Sequence, residues 1–211
     1  YAKFDNIVTV SLDCKKNLIT KFPNLKDKML VLPNIVDRDY IIQSVKESQG
    51  EVFDKDVINI VSVGRLTKEK GGDLAVDVCK MLLDKGYNIA WYWVGDGNQY
   101  KYLSEKIKKL RIQDRFYLVG NKINPYTYMK NCDIYVQPSY YEAYCTTTNE
   151  ARILCKPIIT TDVGGMREQF IDKYTALISK IECESICENL EKLIIDDKLR
   201  KSLEDNLKNK N

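Results

Sequence analysis

Two cations beside a glycine turn are the first residues in this sequence that could do chemistry. Arg65 follows Gly64 at the end of an apolar, β-branched run, and Lys70 stands five residues later, before a pair of glycines. A guanidinium offers a planar fork of donors and an ammonium a point charge, so the two could clamp a diphosphate. A solvated charged loop is the alternative. The segment is not a P-loop, because GxxxxGK[ST] is absent.

Two glutamates eight positions apart form the second candidate. Glu142 lies in a loop after a predicted strand, and Glu150 lies about one turn inside a helix predicted to begin near Thr146. The backbone N–H groups that open a helix are a natural seat for a phosphate. Glu150 could turn toward the same cleft and accept hydrogen bonds from ribose hydroxyls. Both could equally be surface glutamates, which are favoured near helix N-termini in any case.

Two further glycine turns carry less information. Gly95-Asp96-Gly97 begins like a dinucleotide-binding fingerprint, but Tyr100 stands where the third glycine belongs, so binding of NAD is not expected. The Gly164-Gly165 turn is fully explained as a tight connection between a strand and a helix.

The elements that must position these residues alternate between strand and helix. Apolar runs predict strands at 57–63, 89–94, 116–119, 133–137, 157–161 and 176–178, and patterns of helical period separate them. This alternation is typical of a doubly wound, parallel α/β sheet, in which ligands bind beyond the carboxyl ends of the strands. The four segments named above all follow predicted strands.

The two ends of the chain differ from this central part. Residues 1–36 predict a strand (7–11), a helix (12–22) and a second strand (28–32). Residues 37–56 predict a polar connector, in which Asp37-Arg38-Asp39 spells DxD and is interpreted as solvated. Residues 181–211 predict two amphipathic helices. We therefore expect four regions: 1–36, 37–56, 57–180 and 181–211.

Composition excludes several classes of function. The chain has no histidine, so histidine triads and HExxH zinc sites are ruled out for it. A net charge of +3 does not indicate a nucleic-acid partner. Seven cysteines without a CxxC pair predict reduced thiols in a cytoplasmic protein, with neither disulfides nor a zinc site. The first residue is Tyr1, not methionine, which suggests a start inside a longer protein.

Taken together, the motifs resemble a known family. GRLxxxKG, VGDG, E-x7-E followed by Lys156-Pro157-Ile158-Ile159, and TDVGG-x-x-E occur here in an order and spacing similar to the donor-sugar half of group 1 glycosyltransferases. The resemblance runs from about residue 6 to about residue 180. It implies the Rossmann-like C-terminal half of the two-domain GT-B architecture, with residues 1–36 as a remnant of the N-terminal, acceptor-binding domain and its hinge.

The resemblance also implies roles for individual residues. Glu142 would contact the transferred sugar and Glu150 the ribose, while Val119 lies where the family places the nucleobase. The expected catalytic residues are Glu142, Arg65 and Lys70, and the expected donor-binding residues are Gly64, Arg65, Lys70, Val119, Tyr144, Cys145, Thr146 and Glu150. Two features depart from the family's pattern. Ala143 and Cys145 stand where glycines are common, and the hinge reads Asn34-Ile35 without its usual glycine.

The implied activity is a retaining transfer from a nucleoside-diphosphate sugar to a glycan or lipid-linked acceptor in surface polysaccharide synthesis. A UDP-sugar is favoured over a GDP-sugar, and neither a metal nor another cofactor is expected. The acceptor would bind through the missing N-terminal domain, so the fragment alone should be inactive. The full-length enzyme would be cytoplasmic or membrane-associated. Residues 1–34 are expected to pair with another copy or pack on the chain's own surface. A non-catalytic nucleotide-binding or interaction domain of the same fold stays open as the alternative.

Overall fold

A computed structural model of the chain describes residues 1, 3–47 and 53–209. Its strands, in chain order, are β1 (Ile7–Thr9), β2 (Met29–Val31), β3 (Ile58–Val63), β4 (Ile89–Val94), β5 (Phe116–Gly120), β6 (Ile134–Gln137), β7 (Ile158–Thr161) and β8 (Leu177–Ser179). Its α-helices are α1 (Leu12–Lys21), α2 (Arg38–Lys46), α3 (Gly72–Asp84), α4 (Tyr100–Lys109), α5 (Tyr126–Asn131), α6 (Thr146–Ile153), α7 (Met166–Gln169), α8 (Cys183–Ile195) and α9 (Asp197–Lys208). Short 3-10 helices span Pro23–Lys28 and Lys68–Lys70.

The predicted doubly wound parallel sheet is confirmed. Six strands pair in the order β5-β4-β3-β6-β7-β8, and every pairing is parallel. The chain moves from β3 outward to β5, then returns to the other side of β3 with β6. The order therefore reverses between β3 and β6, and this is where open α/β sheets bind ligands.

Two apolar layers bury the faces of this sheet. One layer joins α3, α4 and α8 to the sheet, and the other joins α2, α5 and α6 to it. Trp91 and Trp93 of β4 lie in the first layer, and both are completely buried. Their indole N–H groups donate to Ser62 Oγ and to the Gly64 carbonyl, both at 3.0 Å. The second bond anchors the start of the Arg65 loop to the core.

Helix α2 lies inside the region predicted to be a polar connector. The helix packs against α5 and α6 through Ile41, which is buried in the second layer. Asp37, the first residue of the DxD sequence, caps this helix by accepting a hydrogen bond from the Tyr40 N–H at 2.9 Å. The sequence missed the helix, and residues 48–52 of the predicted connector fall outside the described residues. None of the described helices is long and apolar enough to cross a membrane.

The N-terminal segment packs on the chain's own surface. Strands β1 and β2 form a separate two-stranded parallel sheet. Helix α1 begins against α7: the Glu168 carboxylate accepts from the N–H groups of Leu12 (2.8 Å) and Asp13 (3.0 Å). In return, the Asp13 carboxylate accepts from the Gly165 N–H at 3.0 Å. Each helix start is thus capped by an acidic side chain of the other. Pairing with a second copy stays a prediction, as do the four domain boundaries.

Candidate functional site

The centre of the site is an ion pair between two segments that are distant in sequence. Lys70 ends the 3-10 helix after β3, and its Nζ lies 2.7 Å and 2.9 Å from the two carboxylate oxygens of Glu142, in the loop after β6. Glu142 is 7% exposed and Lys70 18% exposed. The pair lies at the point where the strand order reverses, so sheet topology brings these two predicted residues together.

A glycine holds the two loops in close contact. Gly71 follows Lys70 with a φ of 71°, and a Cβ built on it would lie 1.9 Å from the carbonyl oxygen of Pro138. A larger residue would therefore force the loops apart, in addition to straining its own backbone. The Tyr140 N–H donates to the Glu69 carbonyl at 2.8 Å, which adds a second link between the loops. These contacts hold the loop that carries Lys70 against the loop that carries Glu142.

Arg65 faces a separate part of the crevice. Its side chain is 76% exposed and lies 3.8 Å from the carboxylate of Glu69. An open cavity of about 320 Å³ borders it, lined by Val63, Gly64, Arg65, Val94, Gly95, Asp96, Asn121, Lys122 and Pro125. The cavity joins the loops after β3, β4 and β5. Its lining carries two cations, Arg65 and Lys122, and one carboxylate, Asp96, so the net charge is positive and favours an anion.

The start of α6 forms the wall next to Glu142. Cys145 precedes the helix and is buried, with its Sγ 3.2 Å from Thr147 Oγ1, and burial raises the pKa of its thiol. Tyr144 and Thr146, on either side, are half-buried. As in any α-helix, the amide groups of the first turn lack intrahelical carbonyl partners. They and the helix dipole favour an anion at this position.

Glu150 lies one turn further along α6 and is half-buried. Burial raises the pKa of its carboxyl group, although the hydroxyl of Tyr126 offsets part of this effect. That hydroxyl lies 3.4 Å from Glu150 Oε1, and burial together with the Glu150 charge raises the pKa of Tyr126 to about 12. Glu150 is thus a half-buried acceptor whose hydrogen bond from Tyr126 is long. Across the described residues, no three His, Cys, Asp or Glu side chains are grouped so that they could hold a metal ion.

Comparison with known proteins identifies the family. Residues 44–210 match the family described as "Glycosyl transferases group 1". The chain belongs to this family. This glycosyltransferase domain is 32% identical over 172 residues to an uncharacterized glycosyltransferase of Methanocaldococcus jannaschii, covering 80% of the chain and 42% of that relative. It is 29% identical over 210 residues to the N-acetylgalactosamine-N,N'-diacetylbacillosaminyl-diphospho-undecaprenol 4-alpha-N-acetylgalactosaminyltransferase of Campylobacter jejuni, covering 99% of the chain and 56% of the relative.

Solved structures bear out the GT-B fold. HepE of Anabaena in complex with UDP superposes with a TM-score of 0.83 at 16% identity, over 97% of this glycosyltransferase chain and 58% of HepE. Staphylococcus aureus TarM, also in a complex that contains UDP, gives a TM-score of 0.84 at 15% identity, over 99% of the chain and 40% of TarM. The chain thus spans about half the length of its relatives and corresponds to a C-terminal domain of a group 1 glycosyltransferase.

The predicted site residues of this glycosyltransferase domain do not all lie in one cluster. Lys70 and Glu142 are in direct contact, whereas Gly64 and Arg65 border the cavity. Val119 packs against the second apolar layer, and its neighbours Asn121 and Lys122 line the cavity.

Two residues next to Glu142 are not among the predicted site residues. The Ser139 hydroxyl donates to Glu142 Oε1 at 2.7 Å, and the Gln137 amide donates to Ser139. The sequence feature that could have indicated them is the presence of polar residues at the end of an otherwise apolar strand.

Proposed function

We propose that this chain is the donor-binding half of a retaining glycosyltransferase. The donor is a nucleoside-diphosphate sugar, with UDP favoured over GDP, and the acceptor is a glycan or lipid-linked sugar of surface polysaccharide synthesis. The single observation that carries the proposal is the contact between Lys70 and Glu142 at the strand-order reversal. A cation suited to a diphosphate and a carboxylate suited to sugar hydroxyls thus lie within one hydrogen bond of each other.

The geometry supports a division of labour along the donor. Arg65 and Lys70 would bind the diphosphate, and the first turn of α6 at Thr146 would add backbone N–H donors. As the bond between the anomeric carbon and the β-phosphate oxygen breaks, negative charge grows on the diphosphate, and these groups neutralise it. Glu142 would accept a hydrogen bond from the transferred sugar and Glu150 one from the ribose.

Relatives support the substrate classes. HepE and TarM were solved with UDP, which favours a UDP-sugar. The Campylobacter jejuni relative is named for a diphospho-undecaprenol acceptor, and another relative, CapM of Staphylococcus aureus, for capsular polysaccharide biosynthesis. These names favour a lipid-linked or glycan acceptor. Retention of configuration rests on the family resemblance alone.

Calorimetry with UDP, GDP and ADP on the chain tests the donor site. UDP should bind with micromolar to millimolar affinity and more tightly than the other two nucleotides. Arg65→Gln should weaken UDP binding by about tenfold or more, since one charge-assisted hydrogen bond contributes about 1.5–3 kcal/mol. Lys68→Gln, which removes an exposed cation from the same loop, is the matched control and should bind UDP like the parent.

Two results would refute the proposal. The first is an absence of binding for every nucleoside diphosphate; the second is an Arg65→Gln variant indistinguishable from Lys68→Gln. The non-catalytic alternative is separated by a turnover assay on a longer protein that includes the upstream acceptor-binding domain. Such a protein should transfer sugar, whereas the chain alone should not. We expect that enzyme to work at the cytoplasmic side, where nucleotide sugars are available.

A further inference from the structure

A row of buried polar side chains leads from the core to Glu142. The Tyr135 hydroxyl donates to Gln137 Oε1 at 2.9 Å, and the Gln137 amide donates to Ser139 Oγ at 3.0 Å. The Ser139 hydroxyl then donates to Glu142 Oε1 at 2.7 Å. Tyr135, Gln137 and Ser139 are completely buried. Tyr135 and Gln137 are alternate residues of β6, and Ser139 lies two residues beyond the end of the strand, next to Glu142.

The hydrogen bonds in this row run in one direction. Gln137 Oε1 also accepts from Thr147 Oγ1 at 3.1 Å. The Glu142 carboxylate can only accept hydrogen bonds, so the Ser139 hydroxyl proton is directed to it and the Ser139 oxygen must accept from Gln137. The amide NH₂ of Gln137 therefore faces Ser139. Bonds aligned in this way polarise one another and strengthen the last donor.

Packing of the sheet by itself favours apolar side chains over such a row. Burying amide and hydroxyl groups has a cost even when they are hydrogen-bonded, and apolar side chains at the same positions of a central strand would pack without it. The neighbouring β6 residues Ile134 and Val136 are apolar and equally buried. The polar row is therefore confined to the residues that lead to Glu142, and this favours a role at that carboxylate.

Lys70 and Ser139 hold Glu142 in different ways. Lys70 approaches from the crevice side and is the group that would also bind a diphosphate, so donor binding makes phosphate oxygens compete with Glu142 for its ammonium. Ser139 approaches from the core, where no ligand reaches it. If Lys70 turned to a bound diphosphate, Ser139 would still hold Oε1 of Glu142, and Oε2 would be left for the sugar.

We propose that Ser139 and Gln137 are positioning residues that keep the Glu142 carboxylate aimed at the transferred sugar while Lys70 engages the diphosphate. This inference rests on the proposed donor site and extends it to residues that touch no substrate. It implies that loss of the Ser139 hydroxyl affects recognition of the sugar and leaves recognition of the nucleotide intact.

Calorimetric titration of the chain with UDP, UDP-glucose, UDP-galactose and UDP-N-acetylglucosamine tests the inference. The readout is the ratio of the Kd of the best-binding UDP-sugar to the Kd of UDP, measured on the same protein. Ser139→Ala should raise this ratio about five- to tenfold, the range expected for one misdirected hydrogen bond to a charged group, without changing the Kd of UDP. Glu142→Gln should raise it at least as much.

A double variant that combines Ser139→Ala with Glu142→Gln shows whether Ser139 positions Glu142 or only stabilises the fold. If Ser139 acts through Glu142, Ser139→Ala with Glu142→Gln should give the same ratio as Glu142→Gln alone. Ser62→Ala is the matched control, because it removes another completely buried hydroxyl, on β3, outside the row. It should lower thermal stability and leave the ratio unchanged. Gln137→Met keeps the Ser139 hydroxyl but removes the amide that donates to it, so it should raise the ratio by a smaller factor. If Ser139→Ala does not fold, the Gln137→Met variant tests the inference in its place.

Two outcomes would overturn the inference while the donor site stands. The first is an unchanged ratio in Ser139→Ala, whether both affinities stay the same or fall equally; the second is additive effects in the double variant. A parent chain that binds no nucleoside diphosphate would instead refute the donor site, and the inference with it.

Discussion

Removing the Lys70 charge should destabilise the fold more than removing any exposed lysine. In Lys70→Met, the Glu142 carboxylate stays buried at 7% exposure and loses two hydrogen bonds of 2.7 and 2.9 Å. Breaking a buried ion pair by removing one partner costs about 3–5 kcal/mol. Because Ser139 still donates to one oxygen, we expect the lower end, about 3 kcal/mol. With a urea m-value of about 2–3 kcal/mol/M, the unfolding midpoint should fall by about 1–1.5 M.

Urea unfolding followed by circular dichroism measures this change. Lys85→Met is the matched control: Lys85 pairs with Glu191 at a similar 2.8 Å, but its side chain is 47% exposed. Water can replace the lost partner there, so the midpoint should stay close to that of the parent. Lys70→Met with Glu142→Gln removes both charges and should be more stable than Lys70→Met alone. Equal midpoints for the two lysine variants, or additive losses in the double variant, would show that the buried-pair reasoning is wrong.

Three other variants test the rest of the structure. Gly71→Ala should lower the urea midpoint more than Gly86→Ala, because φ is positive at both positions (71° and 85°) but only the first added Cβ meets the Pro138 carbonyl. Glu150→Gln should stabilise the chain at neutral pH and not in acid. Burial raises the pKa of Glu150, so its stabilising contribution is complete below the unfolded-state pKa and is lost as pH rises through the folded-state pKa. Glu168→Ala should speed hydrogen exchange in α1, because the helix loses the carboxylate that caps its first two N–H groups.

Each of these variants has a comparison. Equal midpoints for the two glycine variants would exclude the carbonyl clash. Unfolding of Glu150→Gln across a pH series is compared with Glu105→Gln, an exposed position on α4; a shift that does not change with pH would contradict the reasoning. Exchange in Glu168→Ala, followed by mass spectrometry, is compared with Glu184→Ala in the first turn of α8. Unchanged protection of α1 would mean that other contacts hold it.

The sheet could be predicted because its strands are locally recognisable. Each predicted strand begins and ends within two residues of an observed strand, since buried parallel strands appear as β-branched runs bounded by glycine or polar turns. The meeting of Lys70 with Glu142 could also be anticipated, because parallel strands bring their carboxyl ends to one edge. Helix α2 could not be predicted in this way. Its buried residue Ile41 stands in a charged stretch of sequence, and the elements against which α2 packs are α5 and α6.

The polar row behind Glu142 shows a second limit of sequence reasoning. Gln137 and Ser139 sit in a stretch that predicts a strand end and a turn, and nothing local indicates that both side chains are buried. Thr147 of α6 donates to Gln137, and this contact between separate elements exists only in the folded chain. A role set by contacts between separate elements is invisible to periodicity. The contact between Tyr126 and Glu150 could not be predicted either, because the two residues meet only in the folded chain.

The two tryptophans give the molecule an internal optical reporter. The chain has no others, and both lie side by side in β4 with their rings in the apolar core. Fluorescence excited in the tryptophan band therefore arises from a single place, and its emission should be blue-shifted until the sheet opens. Trp93 also hydrogen-bonds to the carbonyl of Gly64, the residue that leads into the Arg65 loop. A ligand that moves this loop should change the tryptophan emission of an unlabelled sample. Unfolding of the sheet and ligand binding can therefore be followed by the same fluorescence signal.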